Sequence, residues 1–185
     1  MNTLEVITGP MFSGKTEELI RRVRLSVLRG GSTQFFGPVL DRRYGVQPHT
    51  HAGRAYSVDL VETSQHILAE VRPGVTCVAI DEVQFFDELL PRVVSYLMNS
   101  LNKRVIAAGL NRDYRGEPFA NTERLLSMAD VLVPLHSVCT SCGADATCTY
   151  RKGHEEGRIV PGGAEAYEAR CRSCYTRDAV GLWSP

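Results

Sequence analysis

Short runs of mostly apolar residues alternate along the chain with segments in which apolar residues recur at helical spacing. The runs predict strands at residues 4–7, 34–36, 76–80, 104–108 and 130–133, and the run at 76–80 is typical of a strand buried on both faces. The helical spacing predicts helices at residues 17–28, 64–71, 88–99 and 122–128. Strands that alternate with helices indicate an α/β fold with a parallel sheet and right-handed crossovers.

Two segments do not follow this alternation. Residues 39–56 are rich in Gly, Pro, His and Arg without a sustained period, so we expect a long loop of the kind that often carries function. Asp87 is expected to cap the helix that follows it. From residue 136 the chain has too few large apolar residues for an independent core, so residues 1–135 and 136–185 are predicted as two domains.

Composition narrows the possible partners and location. The chain has 185 residues and 43% hydrophobic content, enough for one core and a small appendage. Lys plus Arg and Asp plus Glu are equal at 21 each, so no net charge attracts nucleic acid. From the first residues we expect no charged and apolar leader, and no apolar run approaches the roughly 20 residues of a membrane helix. We expect a soluble, cytoplasmic protein without nucleic-acid or membrane partners.

A glycine-rich stretch after the first predicted strand matches the phosphate-loop pattern G-x-x-x-x-G-K-[ST]. Its residues are Gly9, Pro10, Met11, Phe12, Ser13, Gly14, Lys15 and Thr16. In such a loop, backbone N–H groups surround a phosphate, the lysine neutralises the terminal phosphates and the hydroxyl binds Mg²⁺. A chance match in a loop is the alternative, but the strand before the stretch and the helix after it favour a nucleotide site.

An acidic pair follows the predicted strand at residues 76–80. Asp81 is placed to reach the magnesium ion of a bound nucleotide, since ligands bind at the carboxyl ends of parallel strands. Glu82 would point elsewhere and could take a proton from an attacking hydroxyl or from water. Deprotonation of a substrate hydroxyl would make the protein a kinase, and deprotonation of water would make it an ATPase. A solvated acidic pair without a function is the remaining alternative.

Four of the six cysteines form two C-x-x-C pairs near the C-terminus. Cys139, Cys142, Cys171 and Cys174 could supply four thiolates to a structural zinc ion with no open position for water. Redox-active or disulfide-bonded pairs are the alternative. Cys77 is expected to pack in a strand, and three less favoured substitute ligands are Cys148, His136 and His154.

Five stretches together resemble one family, the zinc-containing type II thymidine kinases of the bacterial and animal kind. They occupy residues 9–16, 41–44, 81–86, 109–119 and 162–171, in family order. The resemblance implies a RecA-like P-loop domain with a parallel sheet, followed by a small C-terminal zinc-binding lasso domain. It also implies transfer of the ATP γ-phosphate to thymidine, and to deoxyuridine, in nucleotide salvage, by a homotetramer under feedback inhibition by thymidine triphosphate.

The resemblance also implies roles for individual residues. Glu82 matches the family's general base, while Arg43 and Arg151 match its phosphate-side arginines. The nucleoside would be bound by Met11, Asp41, Phe85, Leu110, Tyr114, Phe119, Thr149 and Tyr167, with main-chain hydrogen bonds from Val160, Gly162 and Gly163. Residues 143–170 would then close over the base and exclude water.

The chain departs from the family pattern at three positions. Val83 stands where glycine is usual, and its branched side chain would alter the backbone angle beside Glu82. Asn111 replaces a common aspartate, and Pro161 removes an N–H close to the base. Two other classes remain as alternatives: a nucleotide-dependent switch or ATPase, and a zinc-ribbon module that binds nucleic acid.

Overall fold

The structure is a computed structural model that describes residues 2–39, 57–153, 157–158 and 162–178. The first part of the chain, up to residue 135, contains six strands and four α-helices among these described residues. The strands are β1 (Leu4–Gly9), β2 (Thr33–Pro38), β3 (Asp59–Val61), β4 (Cys77–Ile80), β5 (Arg104–Leu110) and β6 (Val131–Pro134). The helices are α1 (Lys15–Leu28), α2 (Ser64–Glu70), α3 (Leu90–Asn99) and α4 (Ala120–Met128).

All six strands form one parallel sheet with the order β3-β2-β4-β5-β1-β6. The predicted α/β class is therefore confirmed. In this order β5 lies between β1 and β4, so the carboxyl ends of these three strands meet at one edge of the sheet. This edge is where open α/β sheets bind ligands.

Successive residues of the central strands pack on opposite faces of the sheet. On β4, Val78 and Ile80 join the cluster that includes α3 and α4, whereas Cys77 and Ala79 join the cluster that includes α1. The sheet is thus the middle of three layers. Cys77 is a packing residue as expected, and burial raises the pKa of its thiol.

The C-terminal part consists of short elements. These are β7 (Ser137–Val138), β8 (Asp145–Ala146), β9 (Cys148–Arg151), β10 (Tyr167–Arg170) and α5 (Arg172–Asp178). β7 pairs antiparallel with β8, and β9 pairs antiparallel with β10. Tyr175 of α5 is buried and donates its hydroxyl to the Tyr114 carbonyl at 2.6 Å, which fixes α5 to the first part of the chain.

The predicted elements of the first part differ from the structure at β3 and at the start of α3. The three-residue strand β3 has no predicted counterpart. The helix expected from residue 88 begins at Leu90, and the Asp87 carboxylate accepts N–H groups from Leu89 at 3.0 Å and from Ser64 at 2.7 Å. Most of the loop predicted at residues 39–56 lies outside the described residues. Across the part of the chain that is described, no helix combines the length and apolar character needed to cross a bilayer.

Candidate active site

The phosphate loop joins the end of β1 to the start of α1. Gly14 adopts a left-handed conformation, with φ of 78°, immediately before the helix. A Cβ atom at Gly9 would lie 2.5 Å from the Leu135 carbonyl oxygen, so only glycine fits at this point of the loop. The loop therefore has the strand, turn and helix that the sequence motif requires.

The polar side chains of the loop converge on its own backbone and on β4. Lys15 is buried, and its ammonium donates to the Pro10 carbonyl at 2.7 Å. The Ser13 hydroxyl donates to the same carbonyl at 2.9 Å. The Thr16 hydroxyl donates to Asp81 Oδ2 at 2.7 Å, so the predicted magnesium-side groups of α1 and β4 lie together.

The acidic pair directs its two carboxylates to different partners. Asp81 and Glu82 are 1% and 5% exposed, and the Glu82 N–H donates to Asp81 Oδ1 at 2.9 Å. Glu82 has a left-handed backbone with φ of 51°, which is uncommon for a residue with a side chain. Its carboxylate accepts a hydrogen bond from the Gln84 amide, whereas the Asp81 carboxylate accepts from Thr16. The pair is a buried cluster and not a solvated strand end.

Two buried amide side chains that sequence reasoning missed hold the segment after Glu82. Gln84 donates to Glu82 and accepts the Leu110 N–H at 3.0 Å. Asn121, at the start of α4, donates to the carbonyls of Val83, Phe86 and Asp87, at 3.3, 2.8 and 3.1 Å. Gln84 stands inside one of the matched stretches, which was a usable signal. Nothing in the spacing of the sequence points to Asn121.

Two residues predicted for the nucleoside pocket connect the phosphate loop to β9. The Met11 N–H donates to the hydroxyl of Thr149, which is 3% exposed, at 3.0 Å. Phe85 and Leu110 are half-buried, and Phe119 is buried. Phe86, which ends the matched stretch at residues 81–86, belongs to the core cluster.

Arg151 lies in an aromatic setting close to the predicted pocket. Its guanidinium is 3.6 Å from the centroid of the Tyr114 ring, and Nη1 donates to the Gly157 carbonyl at 2.8 Å. Nη2 donates to the Tyr167 hydroxyl at 3.3 Å. These contacts bring together two predicted nucleoside residues, Tyr114 and Tyr167. Through Arg151 the 143–170 segment contacts Tyr114, and the phosphate role of Arg151 stays a prediction.

Of the other predicted site residues, Gly162 and Gly163 make local contacts within their own segment. The Gly163 N–H donates to the Glu165 carboxylate at 2.6 Å, and this hydrogen bond lowers the pKa of Glu165. Gly163 thus makes a local turn, and Gly162 lies so close to Ala166 that an added Cβ would be 2.7 Å from it. The predicted residues Asp41, Arg43 and Val160, and the Pro161 departure, lie outside the described residues.

The remaining two departures from the family pattern have clear positions. Val83 is fully buried and does not have a positive φ, whereas its neighbour Glu82 does, and the effect of Val83 on the backbone beside Glu82 stays a prediction. The Val83 side chain packs in the main core cluster. The Asn111 side-chain oxygen is buried and has no hydrogen-bond partner among the described residues.

Four cysteines lie together in the C-terminal part. One sulfur atom from each of Cys139, Cys142, Cys171 and Cys174 lies within 4.8 Å of all the others. The Cys142 and Cys171 sulfurs are 3.7 Å apart, close to the sulfur separation of about 3.8 Å that a tetrahedron with Zn–S bonds of roughly 2.3 Å requires. All six cysteines are free thiols, and the arrangement fits a zinc ion better than the disulfide alternative.

The environment of these thiols also fits a cation. Hydrogen bonding from the Cys171 N–H lowers the pKa of Cys139 to about 6. For Cys142 the Ala144 N–H lowers the pKa. The neighbouring thiols of Cys139, Cys171 and Cys174 have the opposite and larger combined effect, and the pKa of Cys142 is raised to about 11. One thiolate therefore forms readily while its crowded neighbour resists ionisation, and a metal ion would relieve this repulsion.

The two other candidate ligands that the structure describes do not join this cluster. Cys148 is buried in a separate apolar cluster with Tyr175. The His136 imidazole is exposed and lies 3.7 Å from the Asp145 carboxylate. His154 lies outside the described residues.

Comparison with known proteins places the whole arrangement in a wider context. A family model described as thymidine kinase matches residues 2–175. The chain is 42% identical over 173 residues to a thymidine kinase of Rhodothermus sp. (strain ITI 518), covering 93% of this chain and 80% of that protein. It is 45% identical over 176 residues to a thymidine kinase of Coprothermobacter proteolyticus (strain ATCC 35245 / DSM 5265 / OCM 4 / BT), covering 91% of this chain and 87% of that protein. The family match spans the phosphate loop, the acidic pair and the four cysteines.

Proposed function

Because the chain belongs to the thymidine kinase family, we propose that its active site transfers the γ-phosphate of ATP to the 5′-hydroxyl of thymidine. The observation that carries the proposal is the meeting of the phosphate loop with Asp81 and Glu82 at one edge of the sheet. Phosphoryl transfer depends mainly on positioning and on stabilising charge, and this edge supplies both.

The phosphate side of the reaction rests on α1 and the end of β4. The amino end of α1 and the Lys15 ammonium favour the negative charge of the triphosphate. Thr16 and Asp81 would hold Mg²⁺, because their oxygen atoms already lie 2.7 Å apart and Mg²⁺ prefers oxygen ligands. When bound, Mg²⁺ neutralises charge on the phosphate oxygens.

Glu82 is the residue that we assign as general base. A carboxylate that is almost fully buried is shielded from water, so it can accept the 5′-hydroxyl proton without a competing solvent molecule. Its left-handed backbone and the Gln84 hydrogen bond fix the direction of the carboxylate before substrate binds. Asp81 is held separately by Thr16, so the two acids can serve different roles.

The nucleoside side of the site uses aromatic rings and main-chain groups. A flat neutral base with polar edges suits Tyr114, Phe119 and Tyr167 together with the backbone near Met11. The Arg151 contacts to Tyr114 and to the Gly157 carbonyl support a 143–170 segment that lies over this pocket. We assign residues 1–135 to the kinase domain and residues 136–185 to a lasso domain that closes over the base.

The zinc ion has a structural role in this proposal. Four thiolates complete a tetrahedral site and leave no position for a substrate or for water. The cluster joins the turn after β7 to the start of α5, so a metal ion there would hold the short C-terminal elements together. Activity on deoxyuridine, assembly as a homotetramer and a cytoplasmic location stay predictions of the family resemblance.

The test is to detect nucleoside monophosphates by chromatography after incubation with magnesium-ATP and thymidine, deoxyuridine, deoxycytidine or deoxyadenosine. We expect thymidine monophosphate as the main product. Glu82→Gln should retain ATP binding and lose about 10²- to 10⁴-fold in turnover, whereas Glu88→Gln, an exposed acid nearby, should match the wild type. ATP hydrolysis with no monophosphate from any nucleoside would refute the kinase assignment and favour an ATPase.

A further inference from the structure

Gln84 connects two parts of the active site that lie on different strands of the sheet. It belongs to a short 3-10 helix, Val83–Phe85, that follows Glu82 after the end of β4, and it is 7% exposed. Its side-chain nitrogen donates to the Glu82 carboxylate. Its side-chain oxygen accepts the Leu110 N–H at 3.0 Å, at the end of β5. One buried amide therefore bridges the proposed general base and the proposed nucleoside pocket.

The direction of this amide follows from the chemistry of its partners. An ionised carboxylate only accepts hydrogen bonds, and a backbone N–H only donates them. Rotating the amide by half a turn would set two acceptors against each other at Glu82 and two donors against each other at Leu110. An amide side chain, with a donor and an acceptor on one planar group, satisfies both ends in this orientation.

The surroundings leave Gln84 little freedom to move. A Cβ atom at Gly109 would lie 2.6 Å from the Gln84 side-chain oxygen and 2.5 Å from Val83 Cγ2. The absence of a side chain at Gly109 thus provides the space that the amide occupies. On the other side, the Asn121 amide holds the carbonyls of Val83 and Phe86 and so fixes the turn that carries Gln84.

We propose that Gln84 is a positioning residue that sets the orientation of the Glu82 carboxylate relative to the nucleoside pocket. By holding one carboxylate oxygen, the amide determines where the other oxygen meets the 5′-hydroxyl. By accepting the Leu110 N–H, the same amide fixes the position of Leu110 relative to the Glu82 carboxylate. This inference rests on the proposed function, because it requires Glu82 to act on a nucleoside hydroxyl.

Gln84→Met is the informative variant, because methionine has similar length and makes neither hydrogen bond. A misplacement of roughly 1 Å can cost about 10²-fold in rate, so we expect kcat with thymidine to fall at least about tenfold. An unsatisfied Leu110 N–H should raise the thymidine KM by roughly tenfold. The ATP KM should stay within about twofold of the wild-type value, since Gln84 makes no hydrogen bond to the phosphate loop in the described structure. Gln65→Met, at an exposed glutamine of α2, is the matched control and should behave as the wild type.

A double-mutant cycle separates positioning from general support of the fold. If Gln84 acts on kcat through Glu82, then Glu82→Gln combined with Gln84→Met should be no more than about twofold slower in kcat than Glu82→Gln alone. The rise in thymidine KM should persist in that double variant, because the Leu110 contact does not depend on Glu82. Gln84→Asn, which is too short to reach both partners, should lose kcat, raise the thymidine KM, or both, and replaces the methionine variant if that one does not fold.

The outcomes distinguish this inference from the proposed function. A wild-type protein that forms no thymidine monophosphate would overturn the proposed function and this inference with it. A Glu82→Gln variant with unchanged kcat would overturn Glu82 as the general base, and with it the Gln84 role, but not the proposed function. If both behave as expected, multiplicative kcat losses in the cycle would overturn the Gln84 role alone. Unchanged kcat and thymidine KM in a folded Gln84→Met variant would do the same.

Discussion

The ion pair between Arg158 and Asp113 gives a direct test of how the 143–170 segment contributes to thymidine binding. Arg158 Nε donates to Asp113 Oδ2 at 2.8 Å, and Nη2 donates to the Pro118 carbonyl at 2.7 Å. Its guanidinium also lies 5.1 Å from the centroid of the Phe119 ring. These contacts fasten the segment to the turn that carries Tyr114. Weakening them should release the segment from the proposed nucleoside pocket.

Asp113→Asn removes the charge from this contact and leaves the turn intact. Asp113 Oδ1 accepts the N–H groups of Arg115 at 2.9 Å and Glu117 at 3.0 Å, and an asparagine oxygen can accept both. The amide nitrogen would then face Arg158, donor against donor. Arg158→Gln weakens the same contact from the other side.

The size of the effect follows from the burial of the two partners. A hydrogen bond between charged groups contributes about 1.5–3 kcal/mol when buried. The Asp113 side chain is 2% exposed but that of Arg158 is 48% exposed, so solvent screening reduces the value to about 1 kcal/mol. We therefore expect the thymidine KM to rise about fivefold in either variant, with kcat and the ATP KM changed less than twofold.

Steady-state phosphorylation of thymidine measures these constants, and a thermal unfolding scan checks that each variant is folded. Arg124→Gln, which changes an exposed arginine on α4, is the matched control. Both variants weaken the contact between Arg158 and Asp113, so the rise in thymidine KM in the double variant should be smaller than the product of the two single rises. A thymidine KM that stays within about 1.5-fold of wild type in both single variants would refute the reasoning.

Three further predictions concern the stability of the fold. Cys171→Ser should reduce bound zinc from about one per chain, measured by metal analysis; full retention would argue against the four-thiolate site. Gly109→Ala should lower the free energy of unfolding by about 1–3 kcal/mol in a denaturant titration, because its Cβ would lie 2.5 Å from Val83 Cγ2; an unchanged midpoint would contradict this. Hydrogen bonds from Arg21, and from Arg22, lower the pKa of Glu18 to about 2. The ionised Glu18 thus stabilises the fold above about pH 4.5, so Glu18→Gln should be less stable than wild type at pH 7 but equal to it near pH 2, in titrations at both pH values.

The sequence predicted the strands and helices well where burial imposes a clear period. Strands such as β4 and β5 are buried on both faces and therefore read as continuous apolar runs, and the helix on each face shows an apolar stripe. The short β3 has only three residues and no such run, so its pairing with β2 could not be inferred. The two C-x-x-C pairs indicated the cysteine cluster because metal ligands have a narrow spacing.

The hydrogen-bond partners of the segment around Glu82 were harder to predict. Gln84 reaches Leu110 only because β4 and β5 are neighbours in the sheet, and strand order was not deducible from the sequence. Asn121 reaches the turn after Glu82 because α4 packs beside that turn, although Asn121 and Val83 are 38 positions apart in the chain. Long-range contacts of this kind follow from the fold as a whole and not from local spacing.

The support of the phosphate loop from the C-terminal part affects how the protein could be divided. The Phe12 carbonyl accepts the Ser137 hydroxyl at 2.9 Å, and the Met11 N–H is held by Thr149. A fragment that stopped after β6 would keep every letter of the phosphate-loop motif but lose both of these supports. The loop is therefore not a transferable module by itself, and a design that borrows it should include β7 and β9 as well.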